Sequence, residues 1–532
     1  MGTQGSYKFA ITRRIPSLIL FICWVLLYVF ATTEADRSFS VYVFQSEFTF
    51  GGYPPSKRED AVKHMEGHIA KYEKEALKAK NKGSQLVVFP EYCLYADIQG
   101  FTRQSIELFL ERIPDPKVNF NWAPCDLDSS DDIIIQRRFS CMAKKNNLYI
   151  VANVGEREDC NTDSDSRCPS DGRYQFNTNV VYSPNGTLVS RYRKKHLFYE
   201  PYFNEPEVAE RGVFETPFGK FASIICFDIY YQDTLQDLIN ETGVRNIIFP
   251  NMWFNTPPLF NSVPFHASIA WATSINLISA NLIMKNEPKN GIAARTGGSG
   301  LYHGADDDGG DGRYYTLYRE GEYSGMMDNL KSDLPSRFAM VPPRKTPGHG
   351  QQKVTNLYVN GIVYNSVKLI DTNGSIGVCN GDFCCGLDYE FEYPPTGSIT
   401  YWLATSEFHE FQACLVCALV YGKSWCESLP FDENVQFSTF KHLRMYANNF
   451  KTPFVFPQVV TVNRTYYVLD PSGYYKDGEI NFRPHHPVHS MALIDRIYDA
   501  QTSGNSRPII ISIVLVVGML VLSLLCVKPS YR

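Results

Sequence analysis

Short apolar runs recur along the first half of the chain, each separated from the next by a helical stretch or a turn, and this rhythm confines the chain to a layered α/β arrangement. The runs cover residues 39–45, 86–89, 148–153, 221–226 and 246–249 and are rich in Val, Ile, Leu and Phe. Between the first two, Ser56-Lys-Arg-Glu59 reads as a capping box that opens a long helix. Its apolar stripe of Val62, Met65, Ile69, Tyr72, Ala76 and Leu77 follows helical spacing, and Gly83 closes it. Further helices are expected at 133–146, 234–239 and 264–275, and Pro184-Asn-Gly186 folds 180–182 back onto 188–192 as a hairpin.

From about Lys331 the texture changes. Val341-Pro-Pro-Arg-Lys-Thr-Pro-Gly-His-Gly350 reads as a linker, and alternating apolar and polar residues with many turns and a cluster of six cysteines follow it. The expected organisation is a leader over 1–35, an α/β domain over 36–335, a smaller, mostly β, disulfide-rich domain over 336–495, a stalk over 496–508 and a hydrophobic tail over 509–532. A length of 532 residues, 44% apolar and 20% charged, suits two packed domains, and the 14% aromatic share suits a strand-rich interior. With a net charge of −5 and no long basic stripe outside the leader, nucleic-acid binding is set aside.

Both ends carry membrane signals. Lys8, Arg13 and Arg14 precede an apolar run over 15–31 and a small-residue site near Ala35, the pattern of a secretory signal peptide. Residues 509–527 are long enough to span a bilayer, either as a transmembrane helix stopped by Lys528 and Arg532 or as the discarded tail of a GPI signal around Ser503-Gly504-Asn505-Ser506. Sequons at Asn185, Asn240, Asn373 and Asn463 agree with an extracellular body anchored to the plasma membrane. In that oxidising compartment Cys125/Cys141 and Cys160/Cys168 are locally spaced pairs, and Cys379, Cys384, Cys385, Cys414, Cys417 and Cys426 form an even set of six with open connectivity. Cys93 and Cys226 are left over.

Cys226 follows Phe221-Ala-Ser-Ile-Ile225 and precedes Phe227-Asp228. Alone it reads as core or half of a disulfide, since cysteine is among the most buried residue types. Two other polar residues share its context at the end of an apolar run: Glu91 after Val88-Phe-Pro90, and Lys194 in Tyr192-Arg-Lys194. A carboxylate can move the thiol proton, a lysine cation lowers a thiol pKa and stabilises an oxyanion, and a thiolate attacks. The N–H of Phe227 stands where an oxyanion-hole donor is wanted. Neither metal nor cofactor is called for.

These segments, with His196-Leu-Phe198, Asp171-Gly-Arg-Tyr-Gln175, Phe249-Pro-Asn-Met-Trp253 and Phe265-His-Ala-Ser-Ile-Ala-Trp271, resemble the nitrilase (carbon–nitrogen hydrolase) superfamily, within it the vanin and biotinidase branch, and the chain looks like an insect-type vanin-like protein. The resemblance implies a four-layer α-β-β-α sandwich and, for Glu91, Lys194 and Cys226, the roles of base, cation and nucleophile. It also implies hydrolysis of a small secondary amide through a thioester, with pantetheine favoured, biotinyl amides as the alternative, and a non-catalytic scaffold as a third reading. Vanins carry Asn where this chain has His196. Trp253 and Phe254 are candidates for the acyl side of the pocket.

Other signals point elsewhere. Cys414-Leu-Val-Cys417 suits disulfides better than zinc, His485-His-Pro-Val-His489 suits a surface loop, and Asp306-Asp-Asp-Gly-Gly-Asp311 lacks the closing Glu of a calcium loop. Gly297-Gly-Ser299-Gly300 lacks nucleophile-elbow spacing, because Leu301 stands where the last glycine belongs.

Overall fold

The computed structural model describes residues 38–497 apart from 50, 93, 129, 131, 255–257, 285–296, 305–313, 318–322, 325–328, 332–352, 360, 396–398, 409–410, 421–422, 425–437, 453, 464–465, 470–474, 477 and 485. The leader, Cys93, the acidic run at Asp306, the linker at 341–350, Cys426, His485 and the hydrophobic tail therefore lie outside the described residues. No described helix is long and apolar enough to cross a membrane.

Strands β1 (Ser38–Phe48), β2 (Leu86–Val88) and β3 (Tyr149–Asp159) run parallel, and β4 (Arg173–Tyr182) and β5 (Leu188–Arg193) extend the sheet as an antiparallel hairpin. A second sheet is built on β6 (Val213–Thr216), β7 (Gly219–Ser223), β8 (Asn246–Pro250) and β9 (Asn276–Ala280), with β7, β8 and β9 parallel. Parallel neighbours require crossovers, supplied here by α1 (Arg58–Asn81) between β1 and β2, α2 (Arg103–Glu107) and α3 (Ile134–Asn146) between β2 and β3, α4 (Asp237–Thr242) between β7 and β8, and α5 (Ser262–Thr273) between β8 and β9.

The alternation of side chains along these strands makes four layers. Phe39, Val41, Val43, Leu86, Val88 and Val151 meet Phe221, Ile248, Ile278 and Ala280 in one core between the two sheets. The intervening residues Tyr42, Phe44, Val87, Phe89, Ile150 and Ala152 pack outward with Met65, Ile69, Tyr72 and Phe139 of α1 and α3. On the far side Ile247, Phe249 and Leu277 pack with Leu238, Phe265 and Ile269 of α4 and α5. Central strands buried on both faces explain why the sequence shows them as unbroken apolar runs.

Three local expectations need correction. Helix α1 begins at Arg58 with Lys57 at the cap and no side-chain cap bond, so Ser56 does not cap it; Arg58 is instead anchored by Leu108 O at 2.7 Å and Glu111 at 3.2 Å. Leu77 is half exposed rather than part of the buried stripe. The strand expected to run to Cys226 ends at Ser223, and the helix expected at 234–239 is a wide turn over Gln232–Gln236 continued by α4.

The C-terminal part is a β-sandwich. One sheet pairs Thr355–Val359, Ile362–Lys368, Ile399–Phe408, Phe411–Val420, Val488–Arg496 and Val455–Asn463, and the other pairs Asn373–Asn380, Phe383–Phe391, Phe440–Asn448 and Glu479–Phe482. Cys379–Cys384 and Cys385–Cys414 are bonded, Cys417 is also in a disulfide, and the α/β part holds Cys125–Cys141 and Cys160–Cys168. Among the described residues Cys226 alone is a free cysteine.

Candidate active site

Three strand ends deliver the site. Glu91 lies just beyond β2, Lys194 immediately after β5, and Cys226 three residues past β7, so all three fall at C-terminal ends of strands, where open α/β sheets gather reactive groups. After Ser223 the chain stays extended for two residues, with the Ile224 N–H donating to Ile248 O at 3.1 Å, and then turns sharply. Cys226 takes the left-handed φ of 45° and opens a 3₁₀ turn, Cys226–Tyr230. A left-handed cysteine is a strained conformation that the surroundings must hold. Asp228 holds it, accepting from the Tyr192 hydroxyl at 2.7 Å, His196 N at 2.8 Å and Ile225 N at 3.4 Å.

The charged groups are buried and fully partnered. The Lys194 ammonium donates to Glu91 Oε1 and to Glu200 Oε2, each at 2.7 Å. Asn177 Nδ2 donates to Glu91 Oε1 and to Glu200 Oε1, each at 2.8 Å, and the Tyr92 hydroxyl and the Phe198 N–H also serve Glu200. Asn177 is itself oriented by Asn153, whose amide donates to its Oδ1 at 2.7 Å while Asn153 Oδ1 accepts the Tyr92 N–H at 3.0 Å. One peptide ties base to thiol: Met252 N donates to Glu91 Oε2 at 3.0 Å, and Met252 O lies 3.9 Å from Cys226 Sγ.

Burial sets the protonation states. It pushes the Glu91 pKa up against the opposing pull of Lys194, which makes this carboxylate more basic than an ordinary one. Burial disfavours the Lys194 cation, but Glu200 and Glu91 outweigh it and the pKa is driven well up, so the ammonium keeps its proton. The Cys226 thiol is pushed well above its ordinary range by burial and then by Glu91, and Lys194 offsets only part of this. Lys194 thus lowers the thiol pKa as expected from sequence, without setting the net direction. The resting group is a thiol beside a strengthened base, an arrangement in which proton removal accompanies attack.

The pocket candidates separate. Trp253 is buried in the core, its ring N–H donating to Phe260 O at 2.9 Å and its face stacked on Tyr230 and Phe265, so packing accounts for it. Phe254 is half-buried, 6.4 Å from the Phe198 ring, which lies 5.2 Å from that of Phe227. His196 stacks on Tyr231 at 3.6 Å and meets Asp233 Oδ1 at 2.7 Å, next to the 3₁₀ turn that opens at Cys226. The sequons at Asn185, Asn240 and Asn373 are exposed.

Sequence reasoning missed Glu200, Asn153, Asn177 and the Met252 peptide. Asparagine is depleted in strands, so Asn153 inside the otherwise apolar run 148–154 was a usable signal, whereas Asn177 lies among the polar residues Gln175, Thr178 and Asn179 and does not stand out. Glu200 sits in an irregular segment two residues past Phe198, with no pattern to mark it.

The β-sandwich reaches this region. Arg496 Nε donates to Tyr230 O at 3.0 Å, with its guanidinium over the rings of Phe411 at 4.7 Å and Tyr231 at 5.4 Å, and Gln458 Nε2 donates to Leu259 O at 2.6 Å. Phe411 and Phe456 join Tyr230, Phe260 and Phe265 in a continuous core.

A buried thiol, a carboxylate of raised basicity and an ammonium thus meet at the strand ends of a four-layer sandwich, and family comparison gives the class of the chain as an amidohydrolase. Residues 51–270 match the carbon-nitrogen hydrolase family, and residues 356–499 match the vanin C-terminal domain. Pantetheinase of Bos taurus is 31% identical over 474 residues, covering 85% of this chain and 88% of its own. Biotinidase of Takifugu rubripes is 33% identical over 423 residues, covering 75% and 81%. An amidase from Nesterenkonia sp. aligns over 56% of this chain and 91% of its own at 15% identity with a TM-score of 0.35, a likeness too slight to add to the fold described above. The chain belongs to the carbon–nitrogen hydrolases, in the vanin and biotinidase branch. Both relatives named are vertebrate proteins, so the insect-type resemblance gains no support from them.

Proposed function

We propose that Cys226, Glu91 and Lys194 carry out hydrolysis of a small secondary amide, with pantetheine as the substrate type and pantothenate and cysteamine as products. The observation that carries this reading is the closed network in which Glu91 accepts from Lys194 and Met252 N while Met252 O faces the Cys226 thiol. As Sγ bonds to the amide carbon, the thiol proton passes to Glu91, and the oxyanion is held by the Lys194 ammonium and the Phe227 N–H. Collapse breaks the C–N bond while Glu91 returns the proton to the leaving amine. The thioester then takes up water, whose proton Glu91 removes and delivers to the departing thiol. Lys194 keeps its proton throughout.

Glu200 and Asn177 are positioning residues in this scheme, fixing Lys194 and Glu91. Phe254 is the better of the two proposed acyl-side contacts, since Trp253 is committed to the core. The 33% identity to a biotinidase favours biotinyl amides as the second reading. The export signals and the exposed sequons support an extracellular, membrane-anchored location, with a GPI anchor slightly favoured over a transmembrane helix. Assaying the purified protein against pantetheine and biocytin side by side tests the substrate. Faster cysteamine release supports the first reading, faster biotin release the second, and hydrolysis of neither contradicts both.

A further inference from the structure

Away from the catalytic groups, one cluster on the outer face of the α/β domain has no part in the chemistry above. Helix α1 carries His64 and His68, four residues apart and therefore on one face. Both present Nε2 to the same carboxylate oxygen, Asp97 Oδ1, at 3.1 Å from His64 and 3.5 Å from His68. The three donor atoms lie within 4.8 Å of one another. Asp97 is not a stray surface acid: its carbonyl accepts the N–H groups of Gly51 at 3.3 Å and Gly52 at 3.0 Å, which fixes the segment that presents it.

We propose that His64, His68 and Asp97 form a zinc site. Two imidazoles and one carboxylate are an established zinc donor set, and imidazole excludes calcium and magnesium, which take oxygen ligands. The spacing is compatible with that ion. With metal–ligand bonds of about 2.0–2.1 Å, a tetrahedral ion needs donor atoms about 3.3–3.4 Å apart. The separations of 3.1 and 3.5 Å bracket the tetrahedral value. All three side chains are partly exposed, at 28%, 15% and 31%, so the fourth position opens to water. Bound there, the ion staples α1 to the segment that begins with Glu91, six residues before Asp97.

The test uses the full-length protein stripped with a chelator and titrated with ZnCl₂ by calorimetry, in a Cys226→Ser background so that the nucleophile contributes no ligand. One equivalent is expected to bind and to raise the melting temperature. His64→Ala and His68→Ala should each weaken binding by at least about tenfold, since even outer partners of a metal ligand are worth 10- to 100-fold. Equal binding by the parent and these variants, or no binding by the parent, overturns the proposal. A measurement on the unsubstituted protein avoids dependence on variant folding: ZnCl₂ should protect His64 and His68 from diethylpyrocarbonate in peptide mass mapping. Unchanged modification of both histidines overturns the site.

Discussion

In the α/β half, a free thiol sits among buried charges at the ends of strands, while the β half ties its described cysteines into disulfides and fills the space between its sheets with apolar side chains. The α/β half has disulfides too, but Cys125–Cys141 and Cys160–Cys168 close local loops away from the site. Buried ions are costly unless each is paired and hydrogen-bonded. The first half meets that condition by surrounding Lys194, Glu91 and Glu200 with donors and acceptors from four separate segments. Among the described residues of the second half, Arg496 brings a charge to this region, where it crosses to the carbonyl of Tyr230 at the end of the 3₁₀ turn that opens at Cys226. One half holds the buried thiol and its charged neighbours; the other contacts the 3₁₀ turn that opens at Cys226.

The largest effect that tests this division is expected at Cys226. Cys226→Ala should lower amide turnover by roughly 10⁴-fold or more, with only a small fall in melting temperature, because the buried position loses a single sulfur atom. Retained turnover would show that the α/β half does not work through this thiol. Next comes Glu91. For the proposed base to act it must be ionised, so activity is lost as pH falls through its pKa, and burial raises that pKa above the ordinary 4.5. A kcat/KM profile should therefore show its acid limb above pH 4.5 and no limb from the thiol below its ordinary value of 9.0. Glu91→Gln should remove the acid limb together with nearly all of the activity.

A smaller effect is expected across the boundary. Arg496→Ala removes the bond to Tyr230 O and the cover over Tyr231 and Phe411, and should lower kcat by about tenfold with little change in KM, as a slight misplacement of a reacting group does. No change in kcat would confine the β half to packing. The smallest is a pH slope in stability. Burial pushes Asp228 up to about 6, against the opposing pull of His196. The folded state then binds this proton more tightly than the unfolded chain, so the group's contribution to stability grows as pH falls from 6 towards 4 and is lost as pH rises through 6. Thermal melts of Asp228→Asn should lack that part of the slope.

Much of this comparison was legible in the residues. The central strands were visible because burial on both faces leaves them as continuous apolar runs, and the pairings Cys125–Cys141 and Cys160–Cys168 followed from local spacing. Three features were hidden for physical reasons. The end of the strand at Ser223 depends on the register with β8 and on the left-handed turn at Cys226, neither of which has a composition signal at Ile224 or Ile225. Glu200 reaches Lys194 only because an irregular segment doubles back. Lys194 pulls the thiol pKa down as the residue types imply, but the larger upward push of burial and Glu91 depends on the packed site. Arg496 could not be linked to a turn 266 residues away by any periodicity.

The acyl-enzyme itself offers the most direct test. The protein is mixed with pantetheine, quenched in acid at short times and digested, and the peptide containing Cys226 is weighed while released cysteamine is counted. The expected result is a pantothenoyl thioester on Cys226 that forms with the first equivalent of cysteamine and is missing from the Cys226→Ala protein. Cysteamine release at the same rate by the Cys226→Ala protein, or an acyl adduct on a different residue, would contradict it.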